Sequence, residues 1–333
     1  MQKYLLVLPV LALLLAGCNV DKIDKEHSVI TDPVYDTQSP IYHFEQYLRK
    51  RFVAPYNVEI IYRWRENATV TSYNLVTCRL GRVDSITPLT HYLWFDLYDQ
   101  VVDTTFLKIY GPRMIQYIGS KGYNSNGTAT LGTADGGIKI ILYGMNELHL
   151  NNINELNQYA FHVMHHEFSH ILHQTKTYPK DFEFISLGMY DPDQWQNQKD
   201  TVVHRRGFVS PYASGAPRED FVEVIATYVT NYVGRPEQAW HWDEILEDAA
   251  KGSPYPGDTL TGADIILNKL EICRAWLKDK YAINIDSLRN EVMRRQVGIE
   301  TPEKLDSIMN ELYIADPNQR VPHYWDFSGL DVQ

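Results

Sequence analysis

Cysteine is scarce in this 333-residue chain: only Cys18, Cys78 and Cys273 are present. A disulfide framework is thereby excluded, and Cys78 and Cys273 remain either two buried thiols or one pair in an oxidising compartment. Basic charge is short too, since 31 Lys and Arg face 42 Asp and Glu for a formal net charge of -11, with no basic cluster. Phosphate backbones are repelled by such a chain, so no nucleic acid is expected as a partner. No apolar run reaches the roughly 20 residues that cross a bilayer. Internal repeats and low-complexity tracts are also missing. What is there is ordinary globular material, 44% apolar and 22% charged, which argues against disorder. Its length allows one large domain or two modest ones. Tyrosine is in excess, and scattered packing accounts for that as readily as a glycan- or peptide-binding surface does.

The first eighteen residues stand apart. Lys3 precedes an apolar run from Leu5 to Leu15 that is broken only by Pro9, and Leu15-Ala16-Gly17-Cys18 places small residues before a cysteine. This stretch resembles a bacterial lipoprotein signal, which implies cleavage and a lipidated Cys18 at the mature N-terminus. An ordinary secretory signal with an incidental Cys is the alternative. Residues 19–40 are polar, with Asp-Pro and Ser-Pro steps, and read as a flexible tether. The expectation is therefore an exported, outer-membrane-anchored lipoprotein, on either face, with a single domain over 41–333.

Within that domain, periodicity predicts sheet over 41–150 and helix over 151–333. A short helix is expected at 41–52, a strand at Val58 to Trp64, and a helix from about Pro88 to Val102 with Leu89, Leu93, Leu97 and Val101 four apart. Strands follow at 114–118, 128–131 and 137–143, separated by Gly-rich turns, which predicts a small, mainly antiparallel sheet whose open edge is the last of them. Helices are then expected at 153–174, 217–232, 236–250, 261–279, 285–296 and 302–312. Tyr178 to Gly215 reads as a long irregular stretch, and such loops tend to be functional. Sheet first and helices after indicate an α+β fold.

His166-Glu167-Phe168-Ser169-His170 is the most informative string. On a helix the two histidines lie at i and i+4, so both imidazoles leave one face and can bind one metal ion, with Zn²⁺ the expected cofactor. Glu167, one step around, stays off the ion but within reach of a water on it, where a general base is needed. Phe161, Met164, Phe168 and Leu172 recur at spacings of three and four and supply a separate apolar stripe. An exposed helix with incidental histidines is the competing reading. A catalytic zinc takes three protein ligands. The extended pattern H-E-x-x-H-x-x-G-x-x-H fails, because position 173 is His and position 176 is Lys, so the third ligand must come from elsewhere. Glu219 and Glu223 stand four apart at the start of a predicted helix. They suit a ligand plus a carboxylate that orients an imidazole, and they equally suit a solvated acidic helix start.

H-E-x-x-H followed on a later helix by E-x-x-x-(D/E) resembles the glutamate zincins (gluzincins), a zincin-like metallopeptidase fold. It is also similar to the protease domain of lethal-factor-like toxins, in which a tyrosine seven residues before the ligand glutamate assists the transition state. Tyr212 stands seven before Glu219. The resemblance implies His166, His170 and Glu219 as zinc ligands, Glu167 as catalytic base, Glu223 as the orienting carboxylate and Tyr212 as oxyanion donor. Tyr178, Tyr190 or His204 in the same stretch could replace Tyr212. With its leader, the chain resembles the substrate import-associated zinc metallohydrolase lipoproteins. That resemblance implies a zinc metallohydrolase beside outer-membrane import proteins and carries no substrate with it; a peptidase acting on a peptide or glycopeptide is the expectation. Two other readings stay open: a non-catalytic accessory lipoprotein with a structural metal, and an esterase or amidase using the same site on a nonpeptide bond. His162 and His165 read as ordinary hydrogen-bonded histidines. Asp191-Pro192-Asp193 begins like a calcium loop but lacks its later ligands. Asn67 and Asn126 head glycosylation sequons that a bacterial leader makes irrelevant.

Overall fold

The computed structural model describes residues 36–39, 41–65, 73–125, 127–135, 137–235, 238–255, 257 and 259–313. The predicted leader, Cys18, most of the tether, Asn67 and Asn126 lie outside them. The fold proper begins at His43.

Six short strands form among the described residues, β1 (Glu59–Ile61), β2 (Met114–Tyr117), β3 (Gly122–Tyr123), β4 (Ala129–Thr130), β5 (Gly132–Asp135) and β6 (Lys139–Leu142). Four make one sheet in the order β1-β2-β6-β5, and β3 with β4 make a small hairpin. β1, β2 and β6 are parallel, with Ile60 opposite Ile115 and Ile115 opposite Ile140. Only β5 runs antiparallel, with Gly132 opposite Leu142. The predicted mainly antiparallel sheet is therefore corrected to a mixed one, and its edge next to β6 is β5. Every residue of β6 is buried, which is how a central parallel strand covered on both faces reads. Ile140 faces the main core, whereas Ile141 and Tyr143 pack with Ile118 in a smaller cluster on the other face.

Between β1 and β2 lies α1 (Leu80–Thr90), which runs on through a π-helical turn, His91–Phe95, into Asp96–Val101. It begins eight residues before the expected Pro88. That proline sits inside the helix, and the ladder widens into the π-turn directly after it, as a missing N–H allows. Trp94 and Tyr98 from this segment meet Phe168 edge-on at 5.1 and 5.3 Å.

A second long helix starts at Ile153, where the Asn152 side chain accepts from the N–H groups of Asn154 and Glu155. It passes through a π-turn at Asn157–Phe161 and becomes α2 (His162–Thr175). Phe161, Met164, Phe168 and Leu172 are all buried, so the apolar stripe fixes which face of α2 meets the core. Then come α3 (Pro217–Thr230), α4 (Gly262–Tyr281) and α5 (Ile285–Gln296), with α3 packed against α2, α4 and α5. Pro217 opens α3, and Asn231 in the left-handed region (φ 56°) closes it. The two remaining predicted helices, 236–250 and 302–312, appear as Trp242–Ala249, starting later than expected, and Pro302–Tyr313.

The stretch 178–215 is not structureless. It holds the short helices Asp181–Ile185 and Asp200–Arg205 and a 3₁₀ turn, Tyr212–Gly215. The Asp191 N–H to Ser214 carbonyl bond (2.8 Å) ties its middle to its end. Cys78 and Cys273 are free and buried.

Candidate metal centre

His166 and His170 leave α2 on the face opposite Phe168, with ring centroids 4.8 Å apart. Glu219, from the first turn of α3, reaches between them. Its Oε2 lies 3.4 Å from His166 Nε2 and 3.1 Å from His170 Nε2, and the two Nε2 atoms are 3.2 Å apart. Donors bound to one zinc at about 2.0–2.1 Å in tetrahedral geometry stand roughly 3.3–3.4 Å from one another, so these three atoms already have the right spacing. Electrostatics agree. Burial alone would lower the His166 pKa, but hydrogen bonds with Glu219 and Glu223 outweigh it and carry the ring to about 10. Burial would raise Glu219, yet His166 and His170 hold it well below the usual carboxylate range. The carboxylates thus favour positive charge at the imidazoles, and two imidazoles with one carboxylate are a donor set that suits a divalent zinc.

Glu223, one turn further along α3, is buried and fully bonded. Its Oε1 faces His166 Nδ1 at 2.8 Å and His162 Nε2 at 3.0 Å, while Oε2 accepts from Ser210 Oγ at 2.8 Å. His162, His166 and Glu223 form a second group with metal-like spacing. That group uses Nδ1 of His166 and the first uses Nε2. A ring that donates Nδ1–H to Glu223 and turns Nε2 to a cation satisfies both groups with one ion.

Glu167 is buried, 7% exposed, and lines a cleft of about 1750 Å³. The floor of the cleft is formed by Tyr159 of the π-turn and by His162 and His166 of α2, and its walls include Gly132 and Trp195. Tyr212 stands on this wall, its ring centroid 5.7 Å from His166 and 4.9 Å from an edge-on Trp195. Although the residue is 39% exposed, desolvation of the hydroxyl, then the charges of Glu219, Glu167 and Glu223, push its pKa up, so it is able to donate. The other three candidates for its role are engaged away from the cleft: Tyr178 donates to Glu183, Tyr190 to Asp220, and His204 pairs with Asp248.

A family profile described as "putative zinc-binding metallo-peptidase" matches residues 37–286, a span that contains every one of these side chains. The chain belongs to that family. Among solved structures it is similar to the crystal structure of a putative zinc-binding metallo-peptidase from Bacteroides caccae, at 34% identity and a TM-score of 0.64. The likeness covers 81% of this chain and 97% of that one. No curated protein matches it.

In this member of the family the structure brings His166, His170, Glu219 and Glu223 together, and Glu167 lines the same cleft as His166. Ser210 and the supporting contacts of His162 and His173 were not foreseen. His162 offered a signal, standing four before His166 as His166 stands four before His170, but which nitrogen of each ring faces what depends on α3, and no spacing reveals it. Ser210 carries no sequence signal beyond lying in the long stretch before α3.

Proposed function

We propose that the chain is a zinc-dependent peptidase with a zincin-like site, in which His166, His170 and Glu219 hold the ion. The convergence of His166 Nε2, His170 Nε2 and Glu219 Oε2 at ligand spacing, beside the buried Glu167 at the cleft floor, carries the reading. Zinc in such a site lowers the pKa of a water toward about 7 and polarises a carbonyl. Glu167 takes a proton from the attacking water as the C–O bond forms and delivers it to the amine as the C–N bond then breaks, so one water is consumed. Tyr212 donates to the oxygen that gains charge. The free side of β5 lies at the cleft wall through Gly132, so an extended peptide can pair with its backbone by strand addition. Peptides and glycopeptides in extended form are the proposed substrates.

A structural metal site needs no carboxylate placed like Glu167, which favours the hydrolase over an accessory role. The test is Glu167→Gln. Hydrolysis of a peptide library should fall by about 10²–10⁴-fold while zinc content stays at the parent level; a variant that still cleaves removes Glu167 as base. We further propose export and anchoring through a lipidated Cys18 beside outer-membrane import proteins, on the strength of the leader alone.

A further inference from the structure

We propose that His173 is a positioning residue for the metal: it accepts the Nδ1–H of His170 and thereby turns the Nε2 lone pair of that ring toward Glu219. The proposal rests on the metal-centre reading above. A histidine that ligates through Nε2 carries its proton on Nδ1, and that proton needs an acceptor. For His166 the acceptor is the Glu223 carboxylate. For His170 it is His173 Nε2, 2.9 Å from His170 Nδ1, with ring centroids 5.2 Å apart and planes at 66°.

His173 is itself held. Its ring meets Tyr178 edge-on at 5.5 Å, and Tyr178 stacks on Phe221 at 4.4 Å and 15°. The Tyr178 hydroxyl is fixed by donating to Glu183 at 3.0 Å. Phe221 lies two residues beyond Glu219 on α3, so this aromatic stack couples the ring that orients one ligand to the element that carries another. The two imidazole ligands are therefore supported unequally, His166 by an anion and His170 by a neutral ring. A neutral acceptor polarises its donor less, so His170 is the weaker of the two nitrogen ligands and depends more on its partner's geometry.

Two variants separate acceptor from packing. His173→Phe keeps a ring against Tyr178 and removes the acceptor; His173→Gln keeps an acceptor oxygen. Zinc affinity is read by competition with a chromophoric chelator on the full chain, together with the visible spectrum of the Co²⁺ form and the melting temperature without metal. His173→Phe should weaken zinc binding by about 10–100-fold and alter the Co²⁺ bands, whereas His173→Gln should recover to within about threefold of the parent. Parent-like affinity in His173→Phe, or equal weakening in both variants, overturns the proposal. His170→Ala is the control. Should the unaltered chain bind zinc no better than His170→Ala, the metal-centre reading fails instead, and the two failures stay distinguishable.

Discussion

Tyr212 is 39% exposed, yet desolvation of its hydroxyl and the charges of three carboxylates push its pKa up, and the residue lines the same cleft as His166. A donor aimed at charge that develops only in the transition state is expected to act on turnover and not on substrate affinity. Tyr212→Phe should therefore lower kcat by about 10²–10³-fold, close to 3 kcal/mol, with KM little changed; steady-state kinetics on one peptide decides it, and a loss confined to KM would move Tyr212 from chemistry to binding. At this scale His166, Glu167 and His170 were legible in the sequence, because one helix of known pitch fixes their relation. Glu219 and Glu223 were legible only as a pair on one face. Their approach to the histidines depends on two helices meeting side by side, with His170 and Glu219 49 residues apart in sequence, which no local pattern encodes. Tyr212 was one candidate among four, and only the cleft separates it from Tyr178, Tyr190 and His204.

The placement of α3 depends on a neighbour of the ligand. Asp220, next to Glu219, is fully buried with its Oδ2 at 2.6 Å from Lys269 Nζ on α4 and 2.9 Å from the Tyr190 hydroxyl. Lys269 also donates to the Gly207 carbonyl at 2.7 Å and lies 4.1 Å from the Phe208 ring centroid. Burial raises the Asp220 carboxyl and lowers the Lys269 ammonium, so each group is tolerated inside only because of the other. Removing one partner strands the second. Lys269→Met should cost about 3–5 kcal/mol in urea unfolding, and the double variant Asp220→Asn with Lys269→Met distinctly less than the sum of the single losses. Strict additivity would show that the pair does not fasten α3 to α4. Strand direction was the poorest reading at this scale. Gly-rich turns beside short apolar runs look like hairpins, yet β1 joins β2 through helices, and parallel pairing leaves no signature in strands of three or four residues. Gly132 marks the place where β5 comes closest to α2: a Cβ there would lie 1.9 Å from Val163 Cγ1. Only a residue without a side chain lets the edge strand come so near the helix that carries His166 and His170.

For the whole molecule, the α+β class and the helical C-terminal half were legible, because long amphipathic segments declare themselves; the packing that closes the cleft was not. The anchoring proposal belongs to this scale. Cys18→Ala should shift the protein from the membrane to the soluble exported fraction, and persistence in the membrane fraction would remove Cys18 as the attachment point. The π-turn at Asn157–Phe161 has a bearing on how this chain can vary. Each residue of an α-helix advances the phase by about 100°, and a π-turn holds one residue more than an α-turn. Deleting a single residue between 157 and 161 would let that turn relax to ordinary pitch with the histidine face still in phase, whereas the same deletion in the regular helix at 163–165 would swing that face by about 100° away from Glu219. All the ligands would survive the second deletion in the sequence, and the site would be gone.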